Sequence, residues 1–111
     1  MKHILFTLKS CPYGLLDDEA HTRNVLVHAA HLCKSTLLGL SSHKFDPQGV
    51  TAVALLAESH ISIHTWPEEG MAVCDVFTCG DHTVPEAGVQ YMYKMFGATD
   101  MVSEGFVRPL R

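Results

Sequence analysis

The chain has 111 residues, enough for one domain with its own apolar core, and 47% of them are apolar, slightly more than a lone small domain requires. Its net charge of -4 and eight unclustered Lys and Arg residues exclude a nucleic-acid footprint, and no apolar run approaches the roughly 20 residues that cross a bilayer. Cys11, Cys33, Cys74 and Cys79 form no C-x-x-C pair and fit free thiols in a reducing compartment; with no signal peptide at the start, the expected location is cytoplasmic.

Residues 3–9 are a short apolar run suited to a strand, ended by the turn formers Cys11-Pro12-Tyr13-Gly14. From 17 to 38 the apolar positions Val25, Leu26, Ala29, Leu32, Cys33, Thr36 and Leu37 recur at three- and four-residue steps. They predict a helix with Asp17, Asp18 and Glu19 at its positive end and Gly39 as its stop. A short strand near 40–45 leads to the turn Asp46-Pro47-Gln48-Gly49.

Val50–Leu56, 61–66 and Met71–Thr78 are rich in β-branched and apolar residues and predict an antiparallel meander. Thr83 and Glu86 read as a capping box around Pro85, opening a second helix with Val89, Met92, Tyr93 and Phe96 on one stripe. Residues 101–107 complete the chain as a last strand. The order βαβββαβ predicts a single α+β domain over 1–111, with helices covering one face of a mainly antiparallel sheet. The apolar surplus suggests at least a homodimer.

The chemistry concentrates in Ala57-Glu58-Ser59-His60-Ile61-Ser62-Ile63-His64-Thr65-Trp66-Pro67-Glu68 and in Asp75-Val76-Phe77-Thr78-Cys79-Gly80. Strand parity puts His60, Ser62 and His64 on one face and Ser59, Ile61 and Ile63 on the other. A tight turn over 57–60 would free Ser59 from that alternation and strain the Glu58-Ser59 bond. A serine hydroxyl there can attack the preceding carbonyl by an N-to-O acyl shift. His64 is either the base for a following elimination or a half-buried strand histidine. His60 and His64 would stand about 13 Å apart on a strand, too far to share one ion, so no metal is expected.

These two stretches, with Phe45-Asp46-Pro47-Gln48-Gly49-Val50, closely resemble the short prokaryotic S-adenosylmethionine decarboxylase proenzymes. The resemblance is strong from Phe45 to Gly80 and rests on size and element order before that. It implies self-cleavage between Glu58 and Ser59, giving a β chain of 1–58 and an α chain of 59–111. Ser59 would become a covalent pyruvoyl group, able to form a Schiff base with a substrate amine and accept the electrons released with carbon dioxide.

On the matching positions it further implies His64 as processing base, Thr51 assisting processing where the family often has serine, and Cys79 as proton donor. Glu68 would bind the ribose hydroxyls and Phe45 would stack on adenine of S-adenosylmethionine. Trp66 is either core or pocket wall. Two protomers would pair into a larger sandwich and build the cleft together. The product would serve spermidine synthesis. The first strand lacks the family's common acidic residue and carries Lys9, which keeps ornithine or arginine open as alternative substrates. A third reading is an uncleaved regulatory or structural partner.

Overall fold

The computed structural model describes residues 1–109. The chain runs β1 (Lys2–Lys9), α1 (Tyr13–Leu16), α2 (Glu19–Leu32), β2 (Leu37–Lys44), β3 (Val50–Leu56), β4 (Ser59–Trp66), β5 (Met71–Thr78), α3 (Pro85–Met95) and β6 (Asp100–Val107). All six strands form one antiparallel sheet in the order β2-β3-β4-β5-β1-β6. The meander β3-β4-β5 lies within it, and β1 enters between β5 and β6.

Alternation along the strands sends Phe6, Leu8, Ala52, Ala54, Ile61, Ile63, Ala72 and Val76 to the face that the helices cover. The small alanines of β3 let α2 settle over β2 and β3, while α3 covers β1 and β5. Leu8, Leu16, Leu26, Ile61, Ile63, Met92 and Phe96 are fully buried, and each such side chain contributes about 1.5–3 kcal/mol. The helices meet at Gly88, where a Cβ would collide with Cys33 Sγ. Only glycine permits that approach. Among the described residues, no helix is long and apolar enough to cross a membrane.

The α+β class with helices on one face is as expected, but three details differ. First, the helix predicted over 17–38 begins at Glu19, with Asp18 as its N-cap and a separate turn α1 before it, and stops at Leu32. Lys34 takes a left-handed φ of 60°, and the bonds Lys34 N–H to His31 carbonyl and Ser35 N–H to Ala30 carbonyl close the helix end with a reversal. Leu32 and Leu37 kept the helical period going in the sequence, yet both are exposed.

Second, the residues beyond that reversal form a full eight-residue edge strand, β2, with an irregularity between Leu37 and Gly39. This is the short strand expected near 40–45, extended at its start to Leu37; counted with the other five it makes one strand more than the order βαβββαβ. Third, the capping box does not form. Val84 is the N-cap of α3 and makes no side-chain bond, Pro85 takes the first turn, and Thr83 Oγ1 instead donates to the Gly80 carbonyl at 2.8 Å. Thr83 thus ties the loop after β5 rather than the helix end.

Candidate active site

The hairpin between β3 and β4 is tighter than the turn predicted over 57–60. Leu56 pairs with Ser59, so only Ala57 and Glu58 form the loop, and Glu58 carries a φ of 62°. A non-glycine residue there costs on the order of 1–2 kcal/mol. Ser59 is the first residue of a strand that stays regular to Trp66, so it remains within the alternation. Its Oγ donates to the Ala57 carbonyl at 3.3 Å, which folds the hydroxyl back over the turn.

Register brings Cys79 to the same place. In the β4–β5 ladder His60 faces Phe77, and continuing it by two residues sets Glu58 opposite Cys79. The Cys79 thiol donates to Glu58 Oε2 at 3.4 Å. That bond, partial desolvation and the charge of Glu58 push the thiol up from its ordinary value, against a weaker pull from the chain's amino terminus. A cavity of about 290 Å³ beside these groups is lined by Ser35, Thr36, Ala57, Glu58, Cys79 and His82. Ser35 Oγ is buried there without a hydrogen-bond partner.

The opposite end of β4 holds a second group. Thr51 pairs with His64 across the β3–β4 ladder, and Thr51 Oγ1 lies 3.0 Å from His64 Nδ1. When Nδ1–H donates to the hydroxyl, Nε2 is left free to accept a proton. A cavity of about 310 Å³ collects Phe45, Gln48, Thr51, His64, Trp66 and Glu68, a size at the lower end for small-molecule sites. Trp66 is half-exposed and forms pocket wall rather than core.

Two local devices set this cavity. The 3-10 turn Pro67–Glu69 follows β4 directly and carries Glu68, whose Oε2 accepts from Gln48 Nε2 at 3.1 Å. The loop bearing Phe45 closes through Phe45 N–H to the Gly49 carbonyl, with Gly49 at φ 107°. Asp17 anchors that loop, accepting from the Gly49 N–H at 2.9 Å and pairing with Lys44 at 3.0 Å. The Gly49 N–H first, and Lys44 second, hold the Asp17 carboxyl below its usual range.

Of the residues singled out in the sequence, the fold brings Glu58 and Cys79 together at the turn that Ser59 directly follows, and separately Phe45, Thr51, His64 and Glu68. Within one chain the two groups do not meet. Ser59 and His64 stand about 17 Å apart along β4 at roughly 3.3 Å per residue.

Between the two groups, on the sheet face away from the helices, lies a cluster the sequence reading missed. Asp75 Oδ2 accepts from His3 Nε2 at 2.8 Å and His60 Nε2 at 2.7 Å, and Ser62 donates to Oδ1. Burial opposes ionisation of Asp75, but these donors outweigh it and hold the carboxyl below its ordinary value. Among the described residues this is the one grouping with metal-ligand spacing, and its histidine Nε2 atoms already hydrogen-bond to the Asp75 carboxylate. Parity along β4 and β5 could have placed Ser62, His60 and Asp75 on one face, but only the register adds His3.

The same face exposes Leu5, Leu55, Val73, Val102 and Phe106. A cavity of about 450 Å³ crosses it, bounded by Leu5, His64, Val73, Asp75, Val102 and Glu104.

Comparison with known proteins identifies the family and the fold. The profile of the family described as S-adenosylmethionine decarboxylase matches residues 2–109. The chain is 51% identical over 107 residues to the S-adenosylmethionine decarboxylase proenzyme of Synechococcus sp. (strain WH7803), covering 96% of this chain and 84% of that protein. It is 56% identical over 85 residues to the proenzyme of the same name from Methanococcus vannielii, covering 77% and 70% of the two chains. Its fold superposes on the crystal structure of the adenosylmethionine decarboxylase from Aquifex aeolicus VF5 with a TM-score of 0.91, at 33% identity and over 99% and 91% of the chains. The chain belongs to the S-adenosylmethionine decarboxylase family.

Proposed function

We propose that the protein cuts its own backbone before Ser59, carries a pyruvoyl group made from that serine, and decarboxylates S-adenosylmethionine to supply spermidine synthesis. The observation that carries this reading is the Glu58-Ser59 bond itself, in a two-residue turn with Glu58 at φ 62° and Cys79 hydrogen-bonded beside it. Family membership and the proenzyme names of the relatives support it.

The Ser59 hydroxyl attacks the Glu58 carbonyl carbon, the C–N bond breaks, and an ester links the two halves. Loss of the Ser59 Cα proton then breaks the ester Cβ–O bond, releases the Glu58 carboxylate and leaves a dehydro residue; water removes its nitrogen as ammonia. Residues 1–58 and 59–111 stay together because the cut falls between paired strands of one sheet. The site suits the group: Ser59 is a half-exposed strand end, and the residue before it, Glu58, lines a cavity together with the Cys79 thiol. Once formed, the pyruvoyl group supplies an electron sink for loss of carbon dioxide. Cys79 stands next to it as the proton donor.

His64 and Thr51 act on a second chain. Two copies facing each other through their helix-free sheet faces, running in opposite directions, bring the His64 end of one to the Ser59 end of the other and cover the exposed apolar residues. Removal of the Cα proton by His64 Nε2 then occurs across the interface. Phe45 and Glu68, in the same cavity as His64, take the adenine and the ribose hydroxyls. No metal is required. Four free thiols, one of them catalytic, fit the reducing cytoplasm.

Release of labelled carbon dioxide from carboxyl-labelled S-adenosylmethionine by fully cleaved protein tests the reading. Ornithine and arginine, assayed in parallel, decide the substrate; a preference for either of them, or no release from any, overturns it.

A further inference from the structure

In the proposed processing reaction Glu58 is the residue before the cut. We infer that its side-chain carboxylate is a positioning group for Cys79: it holds the sulfur in the protonated form and aims it at residue 59, before and after cleavage. The inference rests on the reading of Cys79 as proton donor and adds a residue to that reaction.

The geometry is specific to this turn. Glu58 occupies the second position of a two-residue loop with a left-handed backbone, and Cys79, the residue directly after β5, donates to its Oε2 at 3.4 Å. A proton donor must carry its proton at the working pH, and thiols ordinarily titrate near 8.5. A carboxylate beside the sulfur opposes the thiolate by like charge and accepts only from the thiol. Two other groups bear on the sulfur. His82 lines the same cavity from the loop after β5, and the amino terminus acts from β1 in the opposite direction to Glu58.

Cleavage strengthens the arrangement rather than dissolving it. Glu58 becomes the last residue of the β chain and gains a second carboxylate at its own carbonyl carbon. Leu56 remains paired in β3, with the Ala57 N–H bonded to the Thr36 carbonyl at 2.9 Å, so the new terminus stays beside β5.

The test compares the wild-type residue with Glu58→Gln, which keeps the size and loses the charge. Alkylation of Cys79 by iodoacetamide is followed by peptide mass spectrometry across pH 6 to 10, in the uncleaved Ser59→Ala background and in self-cleaved protein. The expected result is alkylation about threefold or more faster at pH 8 in the Glu58→Gln variant in both backgrounds, with Glu58→Asp falling between. Cys33 and Cys74, buried, serve as internal references that do not change. An unchanged profile in either background overturns the inference for that form. Because alkylation needs no substrate, this failure is separate from a failure of the decarboxylase reading, which appears as absent carbon dioxide release by cleaved wild-type protein.

Discussion

Thr51 Oγ1 lies 3.0 Å from His64 Nδ1, at the end of β4 farthest from Ser59. On the proposed reading two chains are needed to bring the imidazole to the bond that is cut, and the consequence is complementation. His64→Ala alone should slow self-cleavage by about 10²–10⁴-fold, the usual contribution of a general base. Ser59→Ala alone has nothing to cleave. Co-expressed, they should yield cleaved His64→Ala chains, because each receives the histidine of a Ser59→Ala partner. Chain-resolved mass spectrometry of the mixture checks this, and uncleaved His64→Ala chains would place the base elsewhere.

Glu68→Gln should reduce kcat/KM for S-adenosylmethionine by roughly 10–100-fold, the loss of one hydrogen bond to a charged acceptor at about 1.5–3 kcal/mol. Self-cleavage should be unaffected, because Glu68 lies in the cavity with Phe45 and not beside the turn. Steady-state kinetics and intact mass on one preparation separate the two effects.

Gly88→Ala should lower stability by about 1–3 kcal/mol, since the added methyl group meets Cys33 Sγ and forces α3 away from α2. The urea midpoint reads this directly. The variant Gly14→Ala, where a Cβ meets nothing within 4 Å, is the matched control and should stay close to wild type.

Asp75 makes stability depend on acid pH. Its folded carboxyl is held below the ordinary value of about 3.9, so the unfolded chain binds the proton first as pH falls. Its contribution is fully present above that ordinary value and is lost as pH drops through the lower folded value. Asp75→Asn should cost about 1–3 kcal/mol at neutral pH, because three donors then meet an amide with one acceptor oxygen. Denaturant melts from pH 7 to 2 should show the gap between the two proteins closing only below about pH 4.

The sheet was legible in the sequence because its strands alternate: Ala52, Ala54, Ile61 and Ile63 lie where parity puts them. The helix end was not. Leu32 and Leu37 continued a helical period although neither is buried, and the reversal falls on Lys34 rather than on a glycine. The motif residues were legible one at a time, but their division into two groups was not, since it depends on the Leu56–Ser59 pairing that fixes the length of the turn. The Asp75 cluster was hidden for a related reason. Its four members come from three strands, and His3 is far away in the chain.

The mass of the purified protein tests the central claim most directly. Two chains ending and beginning at the 58/59 junction, the second with a pyruvoyl group in place of serine, are predicted for wild type, and one full-length chain for Ser59→Ala. A wild-type preparation that releases carbon dioxide from S-adenosylmethionine while remaining a single 12.2 kDa chain would contradict the account.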